Sequence, residues 1–292
     1  MIKTPKKSKK TLGESLRQKL KALSITKNRP FEEILRYYGI ERFLYRLSIS
    51  PYATKFFLKG GLMLKVWDAE DHRATMDIDL LARTSNKIEN LQRIINEVAL
   101  IQVEQDAIVF NCQKLSLRRT QTGGDYEGAS ASFSATLDRA RIPILIDIGF
   151  NDLIIPEPRM IQYPTLLPLP APKLLGYTPE TVLAEKLEAI VKLGLINTRM
   201  KDFYDIWIIC QSHNLNSEML KLAIERIFSN RNTNLEYPIS FSKTFYEAPA
   251  TLQRWNNFLS TLGKDDPSLQ EVILKISDFV SPYIPRSNDH ER

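Results

Sequence analysis

Proline is concentrated in one segment of the chain, and this segment constrains the fold more than any other feature. Seven of the sixteen prolines lie between Pro156 and Pro179. Proline lacks an amide hydrogen and its ring clashes with the preceding helical turn, so this segment excludes a long helix and is typical of a linker or crossover. Strand and helix patterns alternate before it, and the pattern after it is helical almost to the end. We therefore expect an N-terminal α/β domain followed by a helical domain.

The predicted organisation has five parts. Residues 1–29 form a basic arm and a first helix, 30–155 the α/β domain, 156–178 the Pro-rich linker, 179–285 the helical domain and 286–292 a tail. A cleft between the two domains is the expected ligand site, because ligands bind preferentially where domains meet.

Periodicity predicts the elements of the α/β domain. Helices are expected at 12–24, 30–47, 62–67 and 86–98, and an apolar run at 56–58 ends at Gly60-Gly61. Strands are expected at 77–82, 101–110, 112–119, 129–138 and 142–148. The turn Thr122-Gly-Gly-Asp125 predicts a hairpin between the third and fourth of these strands.

The positive charge of the chain lies at its N-terminus. The net charge is +6, but residues 1–50 hold thirteen Lys or Arg and four Asp or Glu, a net of +9. The stretch from Lys3 to Lys10 therefore reads either as an arm that contacts a polyanion such as RNA or, equally well, as a solubilising tail. No run is long enough to span a membrane, and no signal peptide is visible, so we expect a cytoplasmic protein without a membrane partner.

Three aspartates are candidate metal ligands. Asp77 and Asp79 are two residues apart, so they share one side of a strand, and two adjacent carboxylates repel each other unless a cation lies between them. Asp147 is the single carboxylate in the apolar strand Ile142–Ile148. If the two strands are neighbours, three carboxylates converge as a platform for one or two metal ions in phosphoryl transfer. Alternatively, Asp77 and Asp79 are solvated at a strand edge, and Asp147 forms a structural salt bridge.

Candidate phosphate-binding residues precede the aspartates. Gly60-Gly61 follows the apolar run and precedes a predicted helix, where a backbone without Cβ atoms can approach a phosphate. Arg73 and Thr75 could contact phosphate oxygens. A simple turn is an equally common use of a Gly-Gly pair.

The helical half carries two charges on apolar faces. On a helical wheel, Lys186 falls inside the apolar arc of 181–193, whereas Glu185, Glu188 and Lys192 lie on the opposite face. In the segment 201–210, Asp202 lies inside the apolar arc and Asp205 at its edge, while Tyr204 falls outside. Lys186 and Asp202 either pair with each other or also face a cleft, where Lys186 would meet a triphosphate. Arg199 is a further phosphate candidate.

These motifs resemble the DNA polymerase beta-like nucleotidyltransferase superfamily and, more closely, the AbiEii/AbiGii toxin family, which includes the MenT-type toxins. The matching segments are Leu58-Lys-Gly-Gly61, Arg73-Ala-Thr-Met-Asp-Ile-Asp-Leu80, Asp147-Ile-Gly-Phe150, Ala184-Glu-Lys-Leu-Glu-Ala-Ile190 and Arg199-Met-Lys-Asp-Phe-Tyr-Asp-Ile206. The resemblance covers about residues 30–210. Several relatives carry Ser at the position of Gly61 or Thr75, so the donor base cannot be carried across.

The resemblance implies an α+β nucleotidyltransferase fold, in which a mixed β-sheet flanked by helices precedes a C-terminal helical domain. It implies a bacterial toxin, paired with an antitoxin from the same operon in toxin–antitoxin or phage-defence systems, that transfers a nucleotide from an NTP to RNA, the tRNA 3′ end in some members, and so stops translation. Mg²⁺ or Mn²⁺ would be held by Asp77, Asp79 and Asp147. The implied catalytic set adds Lys186 and Asp202. The implied nucleotide-binding residues are Lys59, Gly60, Gly61, Arg73, Thr75, Lys186, Arg199 and Asp205.

Two other hypotheses remain at this point. The acceptor could be a protein hydroxyl or a small molecule, although the basic arm favours RNA. Alternatively, the chain could be a non-catalytic module that only holds a nucleotide or a partner.

Overall fold

The computed structural model describes residues 11–67, 73–121, 127–212 and 215–285. The basic stretch Lys3–Lys10, the turn Thr122–Asp125 and the tail 286–292 lie outside the described residues. The helices are α1 (Leu12–Thr26), α2 (Phe31–Ser48), α3 (Leu62–Val66), α4 (Ile88–Ala99), α5 (Pro179–Leu193), α6 (Met200–Ser212), α7 (Ser217–Asn230), α8 (Lys243–Tyr246), α9 (Pro249–Leu262) and α10 (Leu269–Val280). The strands are β1 (Phe56–Lys59), β2 (Ile78–Ala82), β3 (Ile108–Gln121), β4 (Glu127–Leu137), β5 (Ala140–Gly149), β6 (Arg159–Gln162) and β7 (Lys173–Gly176).

The strands form a seven-stranded mixed sheet in the order β3-β4-β5-β2-β1-β7-β6. β3, β4 and β5 are antiparallel neighbours, whereas β2 runs parallel to β5 and β1 runs parallel to β7. Helices dominate the chain after β7. The predicted α+β class, a mixed sheet flanked by helices and followed by a helical region, is confirmed.

The chain divides into two compact units. Unit 1 comprises residues 1–56, 76–150 and 161–174, and therefore contains α1, α2, α4 and the strands β2 to β5. Unit 2 comprises residues 57–75, 151–160 and 175–292, and contains α3 and the helices from α5 onward.

The core of unit 1 lies between one face of the sheet and the helices α2 and α4. On β5 the buried residues alternate with solvent-facing ones, and Ile142, Ile144, Ile146 and Ile148 point to the core. Gly39, in the middle of α2, is explained by this packing, because an added Cβ would lie 2.8 Å from a methyl of Ile142. A glycine in mid-helix costs about 1 kcal/mol relative to alanine, and here it permits a close approach of helix and strand.

Two strand predictions in unit 1 were wrong. Residues 101–107 do not form a strand, because Glu104–Asp106 make a single 3-10 turn and Ala107 has a left-handed backbone with φ 49°. Asp106 is fully buried there, where it pairs with Arg46 of α2. The segments predicted as two strands are instead one strand, β3, whose pairing register with β4 shifts between Asn111 and Ser116. Such a bulge interrupts the alternation on which the prediction was based.

The core of unit 2 is built on α5, which packs against α6 and α7, and on α10, which packs against α6. α5 begins at the N-cap Thr178, whose hydroxyl accepts from the amide of Thr181, and Pro179 occupies the first turn. Tyr204, which the helical wheel placed outside the apolar face of α6, is fully buried against Trp255 and Phe258 of α9. α6 is therefore covered on more than one side.

The Pro-rich segment contains no helix, as predicted, but it does contribute the short strands β6 and β7. In the described residues, no helix has the length and apolarity required to cross a membrane.

Candidate functional site

The parallel pairing of β2 and β5 brings two of the predicted metal ligands together. Asp79 and Asp147 are direct partners in the ladder, so their side chains lie on the same face of the sheet, with a strand spacing of about 4.8 Å. Ile78, Leu80, Ile146 and Ile148 point the other way into the core. The two strands are therefore neighbours, which meets the condition under which the aspartates were predicted to converge.

Asp77 lies in a bend immediately before β2, so the strand alternation does not extend to it. In the part of the chain that the structure describes, no three His, Cys, Asp or Glu side chains are already arranged around a common point as metal ligands. The donor set nevertheless fits a hard divalent cation, because two carboxylates at neighbouring positions supply oxygen ligands. Asp147 is exposed and Asp79 is half-buried, which leaves the pair accessible to a ligand.

Five of the predicted site residues in unit 2 form a chain of alternating charges, which we call the Arg73–Arg199 network. Its members are Arg73, Asp205, Lys186, Asp202 and Arg199. With three cations and two carboxylates, the network carries one net positive charge.

Asp205 and Asp202 are the two anionic members, and both are fully buried. Asp205 receives two hydrogen bonds from Arg73, at 2.8 and 2.9 Å, and its Oδ2 lies 2.8 Å from Lys186 Nζ. Lys186 Nζ also donates to Asp202 Oδ1 at 2.8 Å, and Arg199 Nε donates to the other oxygen of Asp202. The predicted pairing of Lys186 with Asp202 is therefore confirmed, and Asp205 is its unanticipated second partner.

Burial and neighbouring charges have opposite effects on the pKa values of this network. Burial alone would lower the pKa of Lys186, but Asp202 and Asp205 outweigh it, so the pKa is raised above its ordinary value. Burial would likewise raise the pKa of Asp202, yet Lys186 and Arg199 hold it at about 2. Both groups are therefore charged at neutral pH. Arg199 is the member most open to solvent, with 43% of its side chain exposed.

We expect acid to lower the free energy of unfolding of the protein, because it protonates Asp202. Because its folded pKa is about 2 and its ordinary value 3.8, the stabilisation is present above about pH 4 and is lost as the pH falls through 2. A shift of this size corresponds to about 2 kcal/mol of unfolding free energy. We expect urea unfolding between pH 5 and pH 3 to show a shallower loss of stability in Asp202→Asn than in the wild type. Parallel pH profiles for the two proteins would contradict this expectation.

Different structural features explain why each of the two predicted phosphate-loop positions is a glycine. Gly60 has φ 68°, in the left-handed region that favours glycine. Gly61 has an ordinary backbone, but a Cβ there would lie 2.6 Å from Thr75 Oγ1 and 2.8 Å from Arg73 Nη2. Arg73 and Thr75 thus occupy the space beside Gly61, where Thr75 Oγ1 also accepts from Arg73 Nη1 at 3.2 Å. The helix that follows, α3, has only five residues.

This packing predicts the effect of a methyl group at Gly61. The added Cβ of Gly61→Ala would displace Arg73 Nη2, the same atom that donates to Asp205 Oδ2 at 2.9 Å. We expect a loss of about 1–3 kcal/mol in the free energy of unfolding, as is typical of overpacking. Gly13→Ala in α1 is the matched control, because the nearest atom to its added Cβ is 3.4 Å away. Equal denaturation midpoints for wild type and Gly61→Ala would contradict this prediction, because the loop would then have shifted to accommodate the methyl group without loss of stability.

Lys59, predicted to bind nucleotide, belongs to a second cluster of ion pairs in unit 2, in which most side chains are half-buried. Its Nζ lies 2.7 Å from Asp152 and 3.1 Å from Glu185, and 5.2 Å from the centre of the Tyr177 ring. Arg231 pairs with the same two carboxylates and with Glu188. Burial would lower the pKa of Lys59, but Glu185, Tyr177 and Asp152 raise it well above its ordinary value. Among the described residues, no ion pair joins this cluster to the Arg73–Arg199 network.

Sequence reasoning missed this second cluster. The helical wheel placed Glu185 and Glu188 on the face of α5 opposite the apolar arc, yet only 13% and 3% of their side chains are exposed. Their partner Arg231 lies 43 residues beyond Glu188, at the end of α7. A contact between residues so far apart in the sequence leaves no periodic signal.

A pair of carboxylates lies on the parallel strands of unit 1, and a network with one net positive charge lies in unit 2. Phosphoryl-transfer enzymes use carboxylates to hold cations and positively charged side chains to bind phosphates. Residues 42–279 match the family described as nucleotidyl transferase AbiEii toxin, type IV TA system, and the chain belongs to this family. It is therefore a member of the nucleotidyltransferase toxins of type IV toxin–antitoxin systems, and the resemblance read from its motifs is confirmed.

The chain is similar to several proteins of known structure. JHP933 from Helicobacter pylori has a TM-score of 0.48 and 14% identity, over 83% of this chain and 87% of that protein. An antigenic nucleotidyltransferase-like protein from Paracoccidioides brasiliensis has a TM-score of 0.40 and 14% identity, over 68% of this chain and 89% of that protein. No functionally curated protein matches the sequence.

Proposed function

We propose that the protein transfers a nucleoside monophosphate from an NTP to an RNA acceptor, the 3′ end of tRNA, and thereby blocks translation. The observation that carries this proposal is the register of β2 and β5, which sets Asp79 beside Asp147 on one accessible sheet face. Membership of a nucleotidyltransferase toxin family supports transfer chemistry and an antitoxin partner. The basic N-terminal sequence supports a polyanionic acceptor.

Asp77, Asp79 and Asp147 are the residues proposed to hold a divalent cation, Mg²⁺ or Mn²⁺. When bound, such a cation neutralises triphosphate charge and lowers the pKa of an attacking hydroxyl. Asp147 is proposed either to ligate a second cation or to accept the proton of the acceptor hydroxyl, and its exposed position supports either role.

The Arg73–Arg199 network is proposed to attract the triphosphate. Its single net positive charge favours an anion, and its buried carboxylates hold Lys186 and Arg73 in fixed positions rather than leaving them to rearrange. Arg199 is the member expected to contact phosphate directly, because much of its side chain is exposed. Lys186 and Asp202 are then essential for the arrangement of the network, together with Asp205. Gly60, Gly61 and Thr75 shape the loop beside Arg73.

The proposal is tested with purified protein, Mg²⁺, each of four α-labelled NTPs and bulk bacterial tRNA. We expect label from one NTP to appear in tRNA. Label in a protein extract or a small-molecule pool, but not in tRNA, would retain the transfer chemistry and overturn the RNA acceptor. Absence of any labelled product would overturn the proposed activity.

A further inference from the structure

A row of four side chains crosses the sheet of unit 1 on the face that carries the carboxylates. Arg118 of β3 is the ladder partner of Ser130 of β4, which is the partner of Asp147 of β5, which is the partner of Asp79 of β2. Residues directly opposite each other in a ladder project to the same face. The row therefore places an arginine on the carboxylate face, two strands and about 10 Å from Asp147.

This face points away from the core of unit 1. The neighbours of the row, Ala129 and Ala131 on β4 and Ile146 and Ile148 on β5, are buried on the opposite face. Arg118 and Asp147 are exposed, and Ser130 is half-buried. Arg118 is thus held by the ladder at a defined distance from Asp147 while its guanidinium remains accessible.

Arg118 does not serve to neutralise Asp147. Among the described residues, neither side chain has a hydrogen-bond or ion-pair partner, although only Ser130 separates them in the ladder. An accessible guanidinium with no carboxylate partner retains all of its donors for a ligand, and its planar fork matches a phosphate group.

We propose that Arg118 binds a backbone phosphate of the RNA acceptor and so positions the reactive hydroxyl beside Asp147, with the Ser130 hydroxyl as a second donor. This inference rests on the proposed function. Its physical reason is charge: Asp79 and Asp147 repel a polyanion from the face where it must react, and a cation on that face offsets the repulsion. Arg118 is a positioning residue, because it contacts the acceptor away from the reacting atoms.

The adjacent Arg119 provides a matched control. It is exposed and carries the same charge, but its ladder partner is the buried Ala129, so it belongs to the opposite face. Arg118→Ala and Arg119→Ala therefore remove the same group from neighbouring positions of one strand.

The experiment measures binding of bulk tRNA to the full chain, without NTP, over a series of salt concentrations. We expect Arg118→Ala to weaken binding several-fold and to reduce the slope of log K against log salt by about 0.7–0.9, the loss of one phosphate contact. Arg118→Lys should restore most of the slope, and Arg119→Ala should leave it near the wild-type value. In transfer assays, Arg118→Ala should raise KM for tRNA while KM for NTP and kcat change little.

Equal effects of Arg118→Ala and Arg119→Ala would overturn the inference, since only general surface charge would then matter. Failure of the wild type to bind tRNA would overturn it as well. The two proposals fail separately. Labelled tRNA with no distinction between the two arginines leaves the proposed function standing, whereas Arg118-dependent tRNA binding without any labelled product contradicts only the transfer chemistry.

Discussion

Asp79→Asn and Asp147→Asn should each reduce nucleotide transfer by about 100- to 1000-fold, since loss of a carboxylate from a cation site removes several kcal/mol of stabilisation of the transition state. The amide retains the size of the side chain and removes its charge. Because Asp79 and Asp147 are ladder partners, both substitutions act on the same small volume. The double variant should therefore lose little more activity than either single variant.

The measurement is the initial rate of label transfer at saturating NTP, with thermal unfolding recorded for each variant. Asp138→Asn is the matched control. It lies in the turn between β4 and β5, where its carboxylate pairs at 2.9 Å with the partly exposed Arg17. Its backbone is left-handed, with φ 53°, and Asn tolerates this conformation well. Wild-type transfer by Asp147→Asn, or loss of transfer in proportion to loss of folding, would contradict a catalytic role for the pair.

The carboxylate pair shows how far sequence reasoning reaches. Asp147 stood out because a single charge interrupts an apolar strand, and its exposure follows from the alternation of that strand. The adjacency of β2 and β5 could be stated only as a condition, since the chain between them includes two further strands and nothing in either strand encodes its neighbour. The parallel register that pairs Asp79 with Asp147 is a property of the assembled sheet.

In the helical half, the prediction of buried faces fails for a different reason. A helical wheel identifies one apolar stripe, and it correctly placed Lys186 and Asp202 on buried faces. It cannot show that a helix is covered on two sides. It therefore failed for Glu188, which is buried against Arg231 at the end of α7, and for Tyr204, which is buried against Phe258 of α9. Contacts with residues distant in sequence, an ion pair for Glu188 and aromatic packing for Tyr204, therefore bury side chains that periodicity predicts to be exposed.

Asp205→Asn should be among the most destabilising single substitutions in unit 2. Asp205 is fully buried and its carboxylate binds both Arg73 and Lys186. Neutralising it leaves the half-buried Arg73 and the buried Lys186 facing an amide, with three cations against one carboxylate in the network. Removal of one partner from a buried ion pair costs about 3–5 kcal/mol, because the other charge is left uncompensated. The control Asp138→Asn, which breaks a partly exposed pair, should cost less than about 1 kcal/mol.

A second substitution separates lost charge balance from lost packing. Lys186→Met, added to Asp205→Asn, restores one net positive charge while it removes the cation that Asp205 had neutralised. If charge balance dominates, the double variant should lose clearly less than the sum of the two single losses in urea unfolding, since residues in one ion-pair network are energetically coupled. Strictly additive losses would instead mean that the two side chains stabilise α5 and α6 independently. The Arg73–Arg199 network would then not be the single electrostatic unit on which the proposed attraction of a triphosphate depends.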